Sequence, residues 1–74
     1  MAALNLDARG RECPEPLEMA VAMMGDMKPG DVLTVLSTDP ASEIDFEAWC
    51  ARKSHEYLGV VQSDGVWKIR IAIR

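Results

Sequence analysis

The chain opens on "ALNLDA", where Leu4 and Leu6 alternate with Asn5 and Asp7. That period of two predicts a strand with one buried face, closed by Gly10. In "PEPLEMAVAMMGDM" the apolar residues Leu17, Ala20, Val21 and Met24 recur at spacings of three and four, the stripe of an amphipathic helix. Gly25 and Asp26, with Pro29 and Gly30 beyond, end it. "DVLTVLS" is an almost unbroken apolar run with β-branched residues, bounded by Pro29-Gly30 and Asp39-Pro40. Such a run suits a strand with neighbours on both sides, in the middle of a sheet. A second helix is expected from Ser42 to His55, with Ser42 as N-cap and Asp45 three positions later in a variant of the capping box. Ser63-Asp64-Gly65 is a hairpin turn signal between "YLGVVQ" and "VWKIRIAIR". In the last strand Trp67, Ile69, Ile71 and Ile73 alternate with Lys68, Arg70, Ala72 and Arg74, so one face is buried and the other wet.

The order is strand, helix, strand, helix, strand, strand. Two strands flanking a helix should run parallel through a right-handed crossover, and the final pair should form an antiparallel hairpin. The wet face of the last strand leaves the opposite face for both helices. The expectation is an α+β fold, a two-layer α/β sandwich of βαβαββ order, with a mixed four-stranded sheet and two helices on one face. With 74 residues, the whole of 1–74 is read as a single domain.

Composition adds exclusions. Hydrophobic residues make up 49% and charged residues 27%, a globular balance that rules out a disordered or fibrous chain. Twelve acidic against eight basic residues give a net charge of −4, which opposes the phosphate neutralisation behind nucleic-acid affinity, so direct nucleic-acid binding is not expected. No apolar run approaches the ~20 residues that span a bilayer, and "MAALNLDARG" lacks a basic segment followed by an apolar one. No membrane association and a cytoplasmic location are expected. Cys13 and Cys50 lie far apart in sequence, and His55 is the one histidine. Neither a redox C-x-x-C pair nor a metal site is therefore predicted, and the thiols should be free in a reducing compartment.

Cys13 carries the candidate chemistry. A residue before proline is pushed out of the α region, into the backbone an N-cap needs, and proline is well tolerated at the first helical position. Cys13 should thus sit at a helix mouth, with Pro14 or Pro16 starting the first regular turn, because Pro16 restricts Glu15 in the same way. There a thiolate faces the partial positive charge of the helix N-terminus and open N–H groups such as those of Glu15 and Leu17. Arg9 and Arg11 add positive charge while Glu12 and Glu15 oppose it, and the balance predicts a depressed thiol pKa. The prolines remove backbone donors and leave a stiff, sparsely bonded collar. The plainer reading makes Cys13 a small apolar filler at a helix start. The polar loop and two arginines ahead of it argue against burial.

The segments "LDARGRECPEPLEM", "MKPGDVLTV", "DPASEIDFEAWC" and "HE" together resemble the TusA/SirA family of small sulfur-carrier proteins over nearly the whole chain. The Cys-Pro-x-Pro motif followed by Met-x-Pro-Gly and Asp-Pro carries the resemblance. It implies a βαβαββ sandwich in which Cys13 accepts a persulfide sulfur from a cysteine desulfurase or a rhodanese-type donor and passes it to an acceptor protein, with no metal or organic cofactor. It also implies a place in tRNA thiolation or sulfur oxidation, and a transfer or partner-contact role for Asp39. The chain departs from the tRNA-thiolation members along the first helix, where Val21, Ala22 and Gly25 stand in place of their basic residues.

The remaining residues have structural readings. Cys50 is expected to be a half-buried structural thiol, and Asp39 to form a local turn or cap. His55 complements the C-terminal dipole of the second helix. Met19, Met23, Met24 and Met27 are core filler or, where exposed, an adaptable contact patch. Lys68, Arg70 and Arg74 line a solvated sheet face. The chain is expected to act as a monomer. Two rivals to sulfur transfer remain open: a binding or regulatory module that uses the sandwich and its Met-rich surface without sulfur chemistry, and a redox switch joining Cys13 to Cys50, which needs Cα atoms within ~7 Å.

Overall fold

In a computed structural model, which describes residues 2–12 and 14–74, the chain runs β1 (Ala3–Ala8), α1 (Glu15–Met24), β2 (Val32–Ser37), α2 (Ser42–Lys53), β3 (Glu56–Ser63) and β4 (Val66–Ala72). All four strands join one sheet in the order β1-β2-β4-β3. β1 lies parallel to β2, in a register from Ala3 opposite Val32 to Ala8 opposite Ser37. β4 is antiparallel to both β2 and β3, so the chain's last strand inserts between its second and third. The α+β architecture with a mixed sheet is the one the hydrophobic periods predict.

The core fills one face of that sheet. Leu33 and Val35 from β2, Ile69 and Ile71 from β4 and Phe46 from α2 are all fully buried. α1 packs on β1 and β2, α2 packs on β3 and β4, and the helices touch each other. β2 shows alternating rather than continuous burial, with Leu33, Val35 and Ser37 inside and Val32, Thr34 and Leu36 half-exposed. The near-continuous apolar run thus reflects shading by flanking strands on the helix-free face, not a second covering layer. Lys68 and Arg70 are exposed on that face.

α1 ends at Gly25 as expected, whereas both ends of α2 differ from expectation. α1 stops without a left-handed residue: Gly25 keeps φ −59°, and a tight turn closes the end through Asp26 N–H to Met23 O at 3.2 Å and Met27 N–H to Met24 O at 3.0 Å. α2 ends at Lys53, two residues short of His55, because Ser54 takes the left-handed cap at φ 62°. Ser42 is the first helical residue rather than the N-cap, which falls on Ala41. Its hydroxyl points inward to Ser37, with the two Oγ atoms 2.6 Å apart in a buried contact. The hairpin follows the sequence signal, since Asp64 and Gly65 have φ 53° and 77° and both central positions of a type I′ turn require positive φ.

At the other end of the sheet Asp31 joins three segments. Its carboxylate accepts the N–H of Lys28 and of Ala2, each at 2.9 Å, and its carbonyl accepts the Ile73 N–H at 2.8 Å. The two N–H donors, Lys28 first, hold the carboxyl below its ordinary pKa of 3.8. A group depressed by folding contributes stability that is complete above its unfolded pKa and is lost as pH falls through the folded one. Asp31→Asn should therefore flatten the fall in thermal midpoint between pH 5 and the acid limb below 3.8, and a variant with the wild-type acid slope would remove Asp31 from that account.

The serine pair gives a second expectation. Ser37 Oγ also accepts the Asp39 N–H at 3.1 Å, so Ser37→Ala leaves both that amide and the Ser42 hydroxyl without this partner. A cost of about 1–3 kcal/mol is expected in urea unfolding. Ser37→Ala combined with Ser42→Ala should cost less than the two singles added, because the second change removes the stranded hydroxyl. Strict additivity would show that the hydroxyls do not interact.

Candidate functional site

Ala8 and Ser37 are the last register partners of the parallel pair, so the loop after β1 and the turn after β2 leave the sheet side by side. The Gly10 N–H ties them together by donating to Thr38 Oγ1 at 2.9 Å. Gly10 sits at φ 81°, a left-handed backbone that other residues adopt only with strain, and Arg11 N–H closes back on Ala8 O at 3.3 Å. Between loop and turn lies an open hollow of about 510 Å³, lined by Gly10, Arg11, Glu12, Thr38, Asp39 and Pro40.

Cys13 itself lies outside the described residues, so its expected place as N-cap is judged from its neighbours. The cap of α1 is Pro14 and the helix begins at Glu15, which puts the cap one residue after Cys13. The Glu15 N–H, expected to be open, donates to Glu12 O at 2.8 Å. The two prolines divide their work. Pro16 is fully buried and anchors the first turn of α1 in the core, whereas Pro14 is exposed and its carbonyl accepts the Glu18 N–H at 3.0 Å. A second, smaller hollow of about 270 Å³ runs from Pro14 between the helices, along Leu17, Asp45, Ala48, Trp49 and Arg52.

Each nearby arginine is matched by a carboxylate of its own. Arg9 grips Asp7 with two parallel bonds, Nε to Oδ1 and Nη2 to Oδ2, both 2.9 Å, and this side-chain contact lowers the Asp7 pKa to about 2. Arg11 reaches Glu15 at 3.4 Å in an exposed pair. Periodicity and spacing gave no sign of either pairing, since both depend on how the loop turns. Asp39 forms a local turn: its Oδ1 accepts the Ala41 N–H and its carbonyl accepts the Ser42 N–H, both at 3.0 Å, which leads the chain into α2 through the N-cap Ala41. Thr38 was not singled out by its sequence context, although a hydroxyl residue at a strand end just before Asp-Pro is the signal that marks it.

The other candidates are structural. Cys50 is a free thiol 1% exposed, beneath α2 beside Phe46, and therefore deeper than the half-buried position expected. Burial pushes its pKa up to about 11. His55 lies past the end of α2 rather than in its last turn. Its Nδ1 accepts the Arg74 N–H at 3.1 Å and its ring stacks on Trp49 with centroids 5.2 Å apart. Arg74 also pairs with Glu56, which fastens the end of the chain to β3. Met24 and Met27 are buried and Met19 and Met23 are half-buried against the core, so the methionines serve packing more than surface. No group of three or more His, Cys, Asp or Glu among the described residues is placed to hold a metal ion, and none of the described helices is long and apolar enough to cross a membrane.

Residues 4–73 match the family model described as Sulfurtransferase TusA. The chain is 37% identical over 63 residues to the sulfur carrier protein TusA of Pseudomonas entomophila, covering 85% of this chain and 79% of that one. It is 42% identical over 65 residues to a protein of Neisseria meningitidis named as a candidate sulfur carrier, covering 88% of each. The fold is similar to that of a SirA-like protein from Desulfitobacterium hafniense, with a TM-score of 0.84 at 24% identity over 93% of this chain and 95% of the other.

The contrast between environments is directly measurable at Cys50. With a pKa of about 11, only about a thousandth of Cys50 is thiolate at pH 8, and the core shields it further. In a Cys13→Ser background, iodoacetamide should leave the folded protein unmodified by intact mass and add one group after unfolding in guanidinium. Rapid labelling of the folded variant would show that Cys50 is accessible.

Proposed function

The chain belongs to the TusA sulfurtransferase family, and on that premise we propose that it is a sulfur carrier that loads Cys13 with a persulfide from one protein and delivers the outer sulfur to another. The observation that carries the reading is the setting of the residues flanking Cys13. Glu12 borders the larger hollow and Pro14 the smaller, so the residues before and after Cys13 in sequence each border an open depression. A partner's cysteine needs that access. Cys50, under α2, has none.

In loading, the Cys13 thiolate attacks the outer sulfur of the donor's persulfide. The donor's S–S bond breaks, a new one forms at Cys13, and the donor leaves as a thiolate. In unloading, an acceptor thiolate attacks the outer sulfur held on Cys13, and Cys13 is the leaving group. The sulfur changes owner without net oxidation, so neither step calls for an external reductant or a cofactor. The N-terminus of α1 favours the thiolate, whereas Glu12 and Glu15 oppose it. Arg9 and Arg11 support the thiolate less than bare cations would, because each shares its charge with Asp7 or Glu15. Asp39 lines the larger hollow, which supports a partner-contact role for it.

A cysteine desulfurase or a rhodanese-type protein is the donor class proposed, with sulfur oxidation or tRNA thiolation as the destination and a single copy of the chain as the acting unit. The last turn of α1 holds no basic residue, and Val21, Ala22 and Gly25 are exposed there, so docking does not run through a basic helix. A Cys13–Cys50 redox switch would require Cys50 to leave the core, and its burial disfavours that route.

Incubation with a desulfurase and cysteine, or with a rhodanese and thiosulfate, should add one sulfur mass to the protein. The adduct should vanish with dithiothreitol and in Cys13→Ser, and persist in Cys50→Ala. An intact mass without the added sulfur, or an adduct indifferent to Cys13→Ser, would sink the proposal.

A further inference from the structure

We propose that Thr38 is a positioning residue for sulfur transfer, whose hydroxyl holds Gly10 and so fixes the loop that carries Cys13. The inference rests on the sulfur-carrier reading above. Thr38 Oγ1 receives the Gly10 N–H at 2.9 Å, across 28 residues of sequence, and Gly10 stands three residues ahead of Cys13.

What makes the bond a clamp is the rigidity of its base. Thr38 follows Ser37, which is fully buried at the end of the central strand β2. The Ser37 hydroxyl meets Ser42 Oγ at 2.6 Å and the Asp39 N–H at 3.1 Å, so the backbone on the far side of Thr38 is held from the core. Asp39 then turns the chain into α2 through its bond to the Ala41 N–H. On the other side of the contact Gly10 has no side chain to anchor it. Its left-handed backbone is kept in place by the Thr38 bond and by the Arg11-to-Ala8 closure.

Downstream, Pro16 holds the first turn of α1 in the core, and the Glu15 N–H donates back across Cys13 to Glu12 O. The downstream pin belongs to α1 and comes with the helix. Upstream, the Arg11-to-Ala8 closure is local to the loop, and the pin that ties it to another segment is the Thr38 hydroxyl. Removing it leaves the helix intact and frees only the approach to Cys13. The bond is solvent-exposed, so it contributes little to global stability, and its loss is chiefly a loss of geometry. Persulfide exchange needs three sulfurs near a line, and displacements of the order of 1 Å at a reacting group cost up to about a hundredfold in rate.

Thr38→Val keeps the β-branched shape and deletes the hydroxyl, while Thr38→Ser keeps the hydroxyl. Single-turnover transfer from persulfide-loaded protein to an acceptor thiol should slow about tenfold in Thr38→Val and recover to near the wild-type rate in Thr38→Ser. Thermal midpoints should stay close to wild type. Amide exchange of Gly10, followed by NMR on the folded protein, should quicken in the valine variant alone, a readout that isolates the clamp even where the valine variant is less stable. Wild-type transfer by Thr38→Val overturns the proposal, as does a Thr38→Ser variant as slow as the valine one, or Gly10 exchange unchanged by valine. Failure of the carrier reading itself is seen separately, in a wild-type protein that takes up no sulfur. In that case the alkylation rate of Cys13 against pH, compared across the three proteins, still tests whether Thr38 sets the thiol's surroundings: a profile altered by valine and restored by serine upholds the clamp, and identical profiles overturn it.

Discussion

The parallel ladder between β1 and β2 is the constraint from which the working end of the molecule follows. Two parallel strands cannot be joined by a tight turn, so the chain must cross back over the sheet, and α1 is that crossover. Because the strands run the same way, their C-terminal ends coincide at Ala8 and Ser37. Both following segments and the N-termini of both helices are thereby brought to one end of the sandwich. An antiparallel pairing of the same strands would have sent the loop before α1 and the turn before α2 to opposite ends, and Gly10 would never meet Thr38.

Stability and geometry are then assigned to different parts. The middle of the molecule is apolar, with the buried isoleucines of β4 facing Phe46 and the leucine and valine of β2 beneath the helices. The end that carries the site is held by short polar contacts instead: Ser37 with Ser42, Thr38 with Gly10, and Asp39 with the start of α2. Hydrophobic burial is non-directional and tolerates small shifts, while a hydrogen bond fails outside a narrow range of distance and angle. On the proposed reading, a site that presents one sulfur atom to two successive partners is better served by the second kind of contact.

The two cysteines show how far environment outweighs residue type. Cys50 has the same thiol as Cys13, yet a place in the core beside Phe46 raises its pKa to about 11 and closes it to partners. Cys13 stands in the chain between residues that border open hollows. In a domain of this size nearly every inward position is needed for the core, so the proposed chemistry falls to the loops at one end of the sheet.

What the sequence by itself determined was what local repetition governs: a period of two in β1 and β4 and of three to four in α1, although Leu4 and Val21, counted into those periods, are exposed, the Asp64-Gly65 turn, and the motif around Cys13 that marks the family. Those signals lie within a few residues of each other and survive without knowledge of the fold. Only the tertiary structure decided that β4 inserts between β2 and β3, that Ser42 spends its hydroxyl on Ser37 while Asp39 holds the turn before α2, that Arg9 and Arg11 turn to Asp7 and Glu15, that His55 stacks on Trp49, and that Thr38 reaches Gly10. A hydroxyl or a charge has several partners within reach in an extended chain, and a hydrogen bond is worth too little to choose among them. The choice falls to the packing of the apolar faces, which sets the distances at which the polar groups must then find one another.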